Sequence, residues 1–418
     1  MSEPRKLLLC LDGVPFEVIR AAKSRGLFAC FKAPARLLSP FPTMTNIALS
    51  TMLNATPPLG YESLYFDRAA RRLRGGVGKY IGRRTPAKIP SSYMEALDYQ
   101  EPLPFEFLVY VAPEAVWRAD LRRFREEFDR APQTRHFFAF IKATDGLLHI
   151  RGRKHLDTAL ESLNQILQEI HAHYGADLEI VLFSDHGMNL EENRRIHLQT
   201  HLRKCGYTLA SHLNEKMRRS VAIPAFGLCG YAAIYCAHDE MMPSLAEAVV
   251  ELMGVDLALY RERDSTSVMV MGRRGMARIN RQARGQKTFY RYEQMTGDPL
   301  QLASIIEQLR TEALLDERDF ASDQAWYQKT TAHVYPDALA NLYAALHDGR
   351  VQHTADLLLN LEDGYYFGAT IFSRFVKLAA THGNALPSST SAFLMSTHRT
   401  YPAHLRANCA RNYFLQSF

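Results

Sequence analysis

The chain has 418 residues, 47% of them hydrophobic and 22% charged, and its 50 basic and 44 acidic residues leave a net charge of +6. That composition suits a globular chain of about two to three domain-sized units. Its arginines are dispersed rather than gathered in one block, which argues against a stable nucleic-acid complex and suits a small anionic substrate. Six cysteines (Cys10, Cys30, Cys205, Cys229, Cys236, Cys409) without a CxxC pair argue against a disulfide framework or a structural zinc ribbon. No stretch approaches the roughly 18 to 20 apolar residues of a membrane span. The apolar run after MSEPRK is too short for a signal peptide, so the cytoplasm is the expected location.

In chain order, Lys6–Leu11 (KLLLCL) predicts a strand buried on both faces, with a helix from about Phe16. The stretch Ser39–Leu53 (SPFPTMTNIALSTML) sets Thr43, Thr45, Asn46, Ser50 and Thr51 in the first turns of an amphipathic helix. Hydroxyls there serve as caps, or one is a nucleophile where a helix end attracts an anion. Phe105–Val111 and His136–Thr144 predict further buried strands. From Arg153 to Tyr174, Leu156, Leu160, Leu163, Leu167 and Ile170 recur at helical spacing, and Gly175 is a natural stop. Leu178–Ser184 predicts another buried strand, and RRIHLQTHLRKCGY a helix.

Strands alternating with helices predict an α/β fold, a mostly parallel central sheet flanked by helices. Residues 207–347 mix short strands (YAAIYC, SVMVMG) with helices and with turn-rich RINRQARGQ and MTGDP, as in an inserted α+β cap. Thr354–Glu362 then predicts a return to the core. The expected division is a catalytic core at 1–206 and 348–418, interrupted by a cap or substrate region at 207–347.

Functional groups of open α/β sheets collect at the carboxyl ends of strands. Here the predicted strands lead into Asp12, into Asp145 with His149 four residues on, and into Asp185-His186. Asp145 and His149 lie one helical turn apart, so both can face one ion. Aspartate and histidine together suit zinc or a similar divalent metal. Burying so much carboxylate without a cation would be costly. His382, in KLAATHGNALPSST, is a late addition to the set, with His333 and His398 as competitors. His197 and His201 share helical spacing but read more simply as part of a basic helix face. The glycine-rich RGGVGKYIG (Arg74–Gly82) fails as a phosphate loop, because Leu73 and Tyr80 replace the required Gly and Ser/Thr.

Taken in order, LCLDG, FPTMTN, TDGLLH, SDHGM and THGNALPSST resemble the alkaline phosphatase superfamily, in its type I phosphodiesterase, nucleotide pyrophosphatase and phosphonate hydrolase branch. The match runs over nearly the whole chain. It implies an alkaline phosphatase-like fold and two divalent metal ions, Zn2+ with Mn2+ or Fe as alternatives. By that resemblance one ion is held by Asp145, His149 and His382, the other by Asp12, Asp185, His186 and the Thr45 oxygen. Thr45 matches the nucleophile and Asn46 the residue that hydrogen-bonds a phosphoryl oxygen, with Thr43 as the rival nucleophile. The implied activity is hydrolysis of phosphodiester, pyrophosphate or phosphonate-type bonds through a phospho-threonine intermediate. A phosphoryl transferase or mutase using the same nucleophile and a non-catalytic metal-binding relative are the alternatives. The chain departs from the pattern at Leu53-Asn54, where members carry Thr-Gly. Arg151 and Arg153 as a phosphate clamp, and Tyr61, Tyr65 and Phe66 as a stacking platform, compete with solvated arginines and plain core packing.

Overall fold

Five residues in succession, Leu7 to Leu11, have no exposed surface, because the strand Arg5–Leu11 is central and both of its faces are covered. In this computed structural model of the chain, residues 4–76, 89–102, 104–109, 111–133, 135–262, 266–347, 349–369 and 377–415 are described. The strand belongs to a seven-stranded sheet ordered His404–Arg406, Ala35–Leu38, Ser391–Ser396, Leu178–Ser184, Arg5–Leu11, Phe137–Ile141 and Tyr99–Gln100. It runs parallel to both neighbours, with Leu11 level with Ile141 and with Ser184. Ser391–Ser396 is antiparallel to the strands on either side of it.

Strand alternation divides the core. Leu7, Leu9 and Leu11 pack on one face with the helices Phe16–Ser24, Pro113–Arg130 and Arg153–Tyr174. Leu8 and Cys10 pack on the other with Ala48, Leu49 and Met52 of the helix Thr45–Leu53. The expected α/β class, with helices on both faces of a mostly parallel sheet, is therefore what the chain forms. Gly175 does end the long helix, at φ +55.

A second, nine-stranded sheet is ordered Ala321–Ser322, Lys287–Gly297, Gly275–Arg284, Val268–Gly272, Val255–Arg261, Leu357–Leu361, Tyr231–Cys236, Ser220–Ala222 and Thr208–Leu209. Its strands pair antiparallel except for the last two. Leu357–Leu361, in the segment expected to return to the core, pairs here between Val255–Arg261 and Tyr231–Cys236.

Three local expectations are corrected. RINRQARGQ and MTGDP are not turn-rich connectors; all but the end of MTGDP lies in one long hairpin that turns between Arg284 and Lys287. Ala277 and Ile279 face the core while Arg278 and Asn280 alternate with them, so arginine content concealed a period of two. Phe105–Val111 is not a strand: it holds the helix Phe105–Leu108, entered through Pro104, and Val111 is exposed. A short apolar run does not distinguish the two states by itself. The helix expected across RRIHLQTHLRKCGY is confined to Leu198–Lys204, after a two-residue strand at Arg194–Arg195. Beyond Gly76, the glycine-rich stretch Arg74–Gly82 lies outside the described residues. Among those residues, no helix is long and apolar enough to cross a membrane.

Candidate metal centre

Three parallel strands end side by side, and the chain spends polar groups on holding those ends together. The Asp12 N–H donates to Ile141 O at 3.0 Å. Thr144 Oγ1 donates to Asp12 O at 2.7 Å, and Ser184 Oγ to Val14 O at 2.7 Å. Gly13, at φ +72, turns the chain so that its N–H donates to Asp185 Oδ1 at 3.1 Å. Asp145 and His149 stand one turn apart on the helix Ala143–Arg151, which starts directly after its strand. Gly187 is required by a close approach: a Cβ there would lie 2.3 Å from Ser388 O. That contact packs the turn carrying Asp185 and His186 against the short helix Pro387–Thr390, while Asn189 N–H donates to Thr381 O at 2.8 Å, next to His382.

Seven of the eight predicted site residues converge, and the eighth, Asn46, follows Thr45 on the helix. Asp145, His149 and His382 form one cluster and Asp12, Asp185 and His186 another, each with its ligand-type atoms within 4.8 Å of one another. The His186 and His382 rings stack between the clusters with centroids 4.0 Å apart. His149 Nε2 lies 3.2 Å and His382 Nε2 3.5 Å from Asp145 Oδ1. His186 Nε2 lies 3.4 Å from Asp12 Oδ1 and 3.3 Å from Asp185 Oδ2. Thr45 opens its helix and sets Oγ1 at 3.3 Å from both Asp12 Oδ1 and His186 Nε2. Asn46 follows, its Oδ1 accepting from the Tyr93 hydroxyl at 2.9 Å.

All three histidines place Nδ1 on a backbone carbonyl: His149 on Ala380 at 2.8 Å, His186 on Gly187 at 2.9 Å, His382 on Thr43 at 2.7 Å. A carbonyl only accepts, so Nδ1 carries the proton and each Nε2 lone pair faces inward. Inward they meet carboxylate oxygens, which are also acceptors. Asp12 Oδ2, Asp145 Oδ1 and Asp185 Oδ2 are buried without a hydrogen-bond partner. Acceptors facing acceptors in a buried site call for a cation between them, and the donor set suits a divalent metal.

The protonation equilibria respond to the same crowding. Burial, then the Asp185 charge, pushes Asp12 well above the usual carboxylate range. Burial lifts Asp185 to about 7. It also depresses His186 to about 4 and, with the neighbouring His186, His382 to about 3. Asp145 goes the other way: burial opposes its charge, but His149 and then His382 outweigh it and hold the carboxyl low. Burial likewise opposes charge on His149, and Asp145 overcomes it and raises the pKa.

The rival residues are committed to other partners. Thr43 is fully buried, with its hydroxyl engaged by Gly383 and Asn384. His333 bonds Gln301 O, His398 bonds Ala176 O, and His201 bonds Ala248 O. Arg151 reaches Glu114 at 3.0 Å. Tyr61, Tyr65 and Phe66 are buried, with rings against Tyr231, His353 and Tyr235, so they pack the interior and offer no open stacking platform. Two supports had no local signal in the sequence. Tyr93 meets Asn46 across 47 positions, and the Gly230 N–H reaches His382 O at 2.6 Å from another sheet.

No protein-family model matches the sequence, and no curated protein does. Among solved structures, the chain is similar to an inactive variant of murine ectonucleotide pyrophosphatase / phosphodiesterase 5 in complex with AMP. The identity is 11% over 99% of this chain and 95% of that one, with a TM-score of 0.50. It is also similar to phosphonoacetate hydrolase from Sinorhizobium meliloti 1021 in complex with phosphonoformate, at 14% identity over 99% and 96% of the chains and a TM-score of 0.49. The parallel strand ends, the flanking helices and the likeness to the murine protein along nearly its whole length give this chain the alkaline phosphatase-like fold.

Proposed function

We propose that the chain is a metal-dependent phosphohydrolase that cleaves phosphodiester, pyrophosphate or phosphonate-type bonds of a small anionic substrate, with Thr45 as nucleophile. The observation that carries this reading is the placement of the Thr45 hydroxyl. It is partly exposed, stands at a helix N-terminus, and touches both an aspartate and a histidine of the acidic cluster. Thr43 is buried and its hydroxyl committed to Gly383 and Asn384, which supports Thr45 over that rival. The hydroxyls of this helix do not cap it: Met44 holds the cap position without a side-chain bond. The Ile47 N–H is spent on Met44 O, and the N–H groups of Thr45 and Asn46 remain for a phosphoryl oxygen.

The Thr45 O–H donates to Asp12 Oδ1, with His186 Nε2 3.3 Å from the same oxygen. Asp12 takes the proton as Oγ1 attacks phosphorus and the bond from phosphorus to the leaving group breaks, giving a phospho-threonine. Water then cleaves the Oγ1–phosphorus bond, returning a proton to Thr45 and releasing the phosphoryl group. With its Oδ1 held by Tyr93, Asn46 turns its NH2 donors away from that bond, which suits a phosphoryl oxygen. Asp145, His149 and His382 would hold one divalent ion, and Asp12, Asp185, His186 and Thr45 a second, with zinc first by ligand type. Such ions, when bound, lower the pKa of a coordinated hydroxyl and neutralise charge on attacking and leaving oxygens.

The test pairs metal analysis with hydrolysis of aryl phosphodiester, phosphonate monoester and phosphomonoester substrates. Thr45→Ala is expected to lose about a thousandfold or more in kcat, as removal of a nucleophile does, while keeping most of its metal. Full activity in Thr45→Ala would exclude the covalent route. Transfer to added alcohols in excess of inorganic phosphate would instead make the chain a phosphoryl transferase using Thr45.

A further inference from the structure

Thr43 is bound to three consecutive residues of a distant loop by every polar group it has. Its N–H donates to Gly383 O at 3.2 Å, and its carbonyl accepts His382 Nδ1–H at 2.7 Å. Its hydroxyl accepts the Gly383 N–H at 2.8 Å and donates to Asn384 O at 3.1 Å. Gly383 sits at φ +118, a conformation that wraps the loop around the threonine. Thr45 follows two residues later. The hydroxyl acts as donor and acceptor at once, which valine, its isostere, cannot reproduce.

We propose that Thr43 is a positioning residue that locks the His382 loop to the segment carrying Thr45, so that one side chain sets both the aim of His382 Nε2 and its distance from the nucleophile. The inference rests on the reading that the two clusters hold divalent ions. The Thr43 hydroxyl touches neither an ion nor the substrate. Its loss would remove two of the four bonds between Thr43 and residues 382–384, loosen the loop beside His382 and misaim one ligand of the Asp145, His149 and His382 cluster, leaving Asp12, Asp185 and His186 in place.

The test is Zn2+ titration against a competing chelator for wild type, Thr43→Val and Thr43→Ser, with thermal melts as a control for folding. Wild type should take up two equivalents. Thr43→Val should weaken one of them by about 10- to 100-fold, the usual effect of removing an outer support of a metal ligand, and leave the other unchanged. Thr43→Ser, which keeps the hydroxyl, should restore the wild-type curve. Equal curves for Thr43→Val and wild type would overturn the inference, as would a Thr43→Ser variant as weak as Thr43→Val. If Thr43→Val does not fold, Thr43→Ala replaces it. Loss of fold in both, with Thr43→Ser folded, would assign the hydroxyl to fold stability alone and also overturn it. A wild type that takes up no metal would overturn the functional reading itself, which is a different result.

Discussion

Each of the three site histidines has its Nδ1 proton given to a carbonyl, and that small repeated choice decides what the site can bind. With every Nε2 turned toward Asp12, Asp145 or Asp185, the deprotonated interior is a surplus of acceptors. Protons and metal ions compete for it. Asp185 rises to about 7 through burial, and Asp12 and His149 also hold their protons above the usual range. The sign follows: a bound metal must displace those protons, so its apparent affinity should increase as pH rises through about 7 and fall on acidification. Chelator competition at pH 6, 7 and 8 measures this; an affinity that is flat across that range would contradict it. Gly187 makes a second prediction at this scale. A Cβ would meet Ser388 O at 2.3 Å, and backbone cannot yield as a side-chain end can. Gly187→Ala should cost about 1 to 3 kcal/mol, the usual range for overpacking, seen as a lowered melting temperature together with weaker metal binding.

Among the elements, the helix Thr45–Leu53 shows how a departure from a pattern is absorbed. Where the resembled family carries Thr-Gly, this chain carries Leu53-Asn54. Asn54 adopts the left-handed conformation, φ 51 and ψ 40, at the helix C-cap. Asparagine tolerates that region better than other non-glycine residues. Asn54→Ala should therefore destabilise by about 1 kcal/mol, while Asn54→Gly should be neutral or slightly stabilising; thermal melts of the two variants decide it. Element type was readable where burial imposed a long helical period, as in Arg153–Tyr174, or an aliphatic run buried on both faces that leads directly into Asp12-Gly13, as in Arg5–Leu11. It was not readable in Gly275–Arg284, where polar and charged residues fill the outward positions, nor in the Phe105–Val111 run, whose apolar residues fit a helical turn after Pro104 as well as they fit a strand.

Across the whole molecule, the site is made by distant segments meeting. Ligands come from strand ends at positions 12, 145 and 185 and from a loop at 382, and the last is held by contacts to Gly230 and Thr43. Ions bound there would link those segments only when the chain is folded. Zn2+ at about 100 times its Kd should then stabilise by about 2.7 kcal/mol per independent site, and dialysis against chelator should lower the melting temperature. By itself, the order of residues determined the α/β class, the buried central strands and the acids at their carboxyl ends, because burial and strand ends leave local marks. Only the tertiary structure decided that Thr45 and not Thr43 faces the acids, that His382 and not His333 or His398 joins them, and that Leu357–Leu361 pairs in the second sheet. Those outcomes depend on hydrogen bonds and pairings between residues far apart along the chain, and no local periodicity records which partner a buried group will meet.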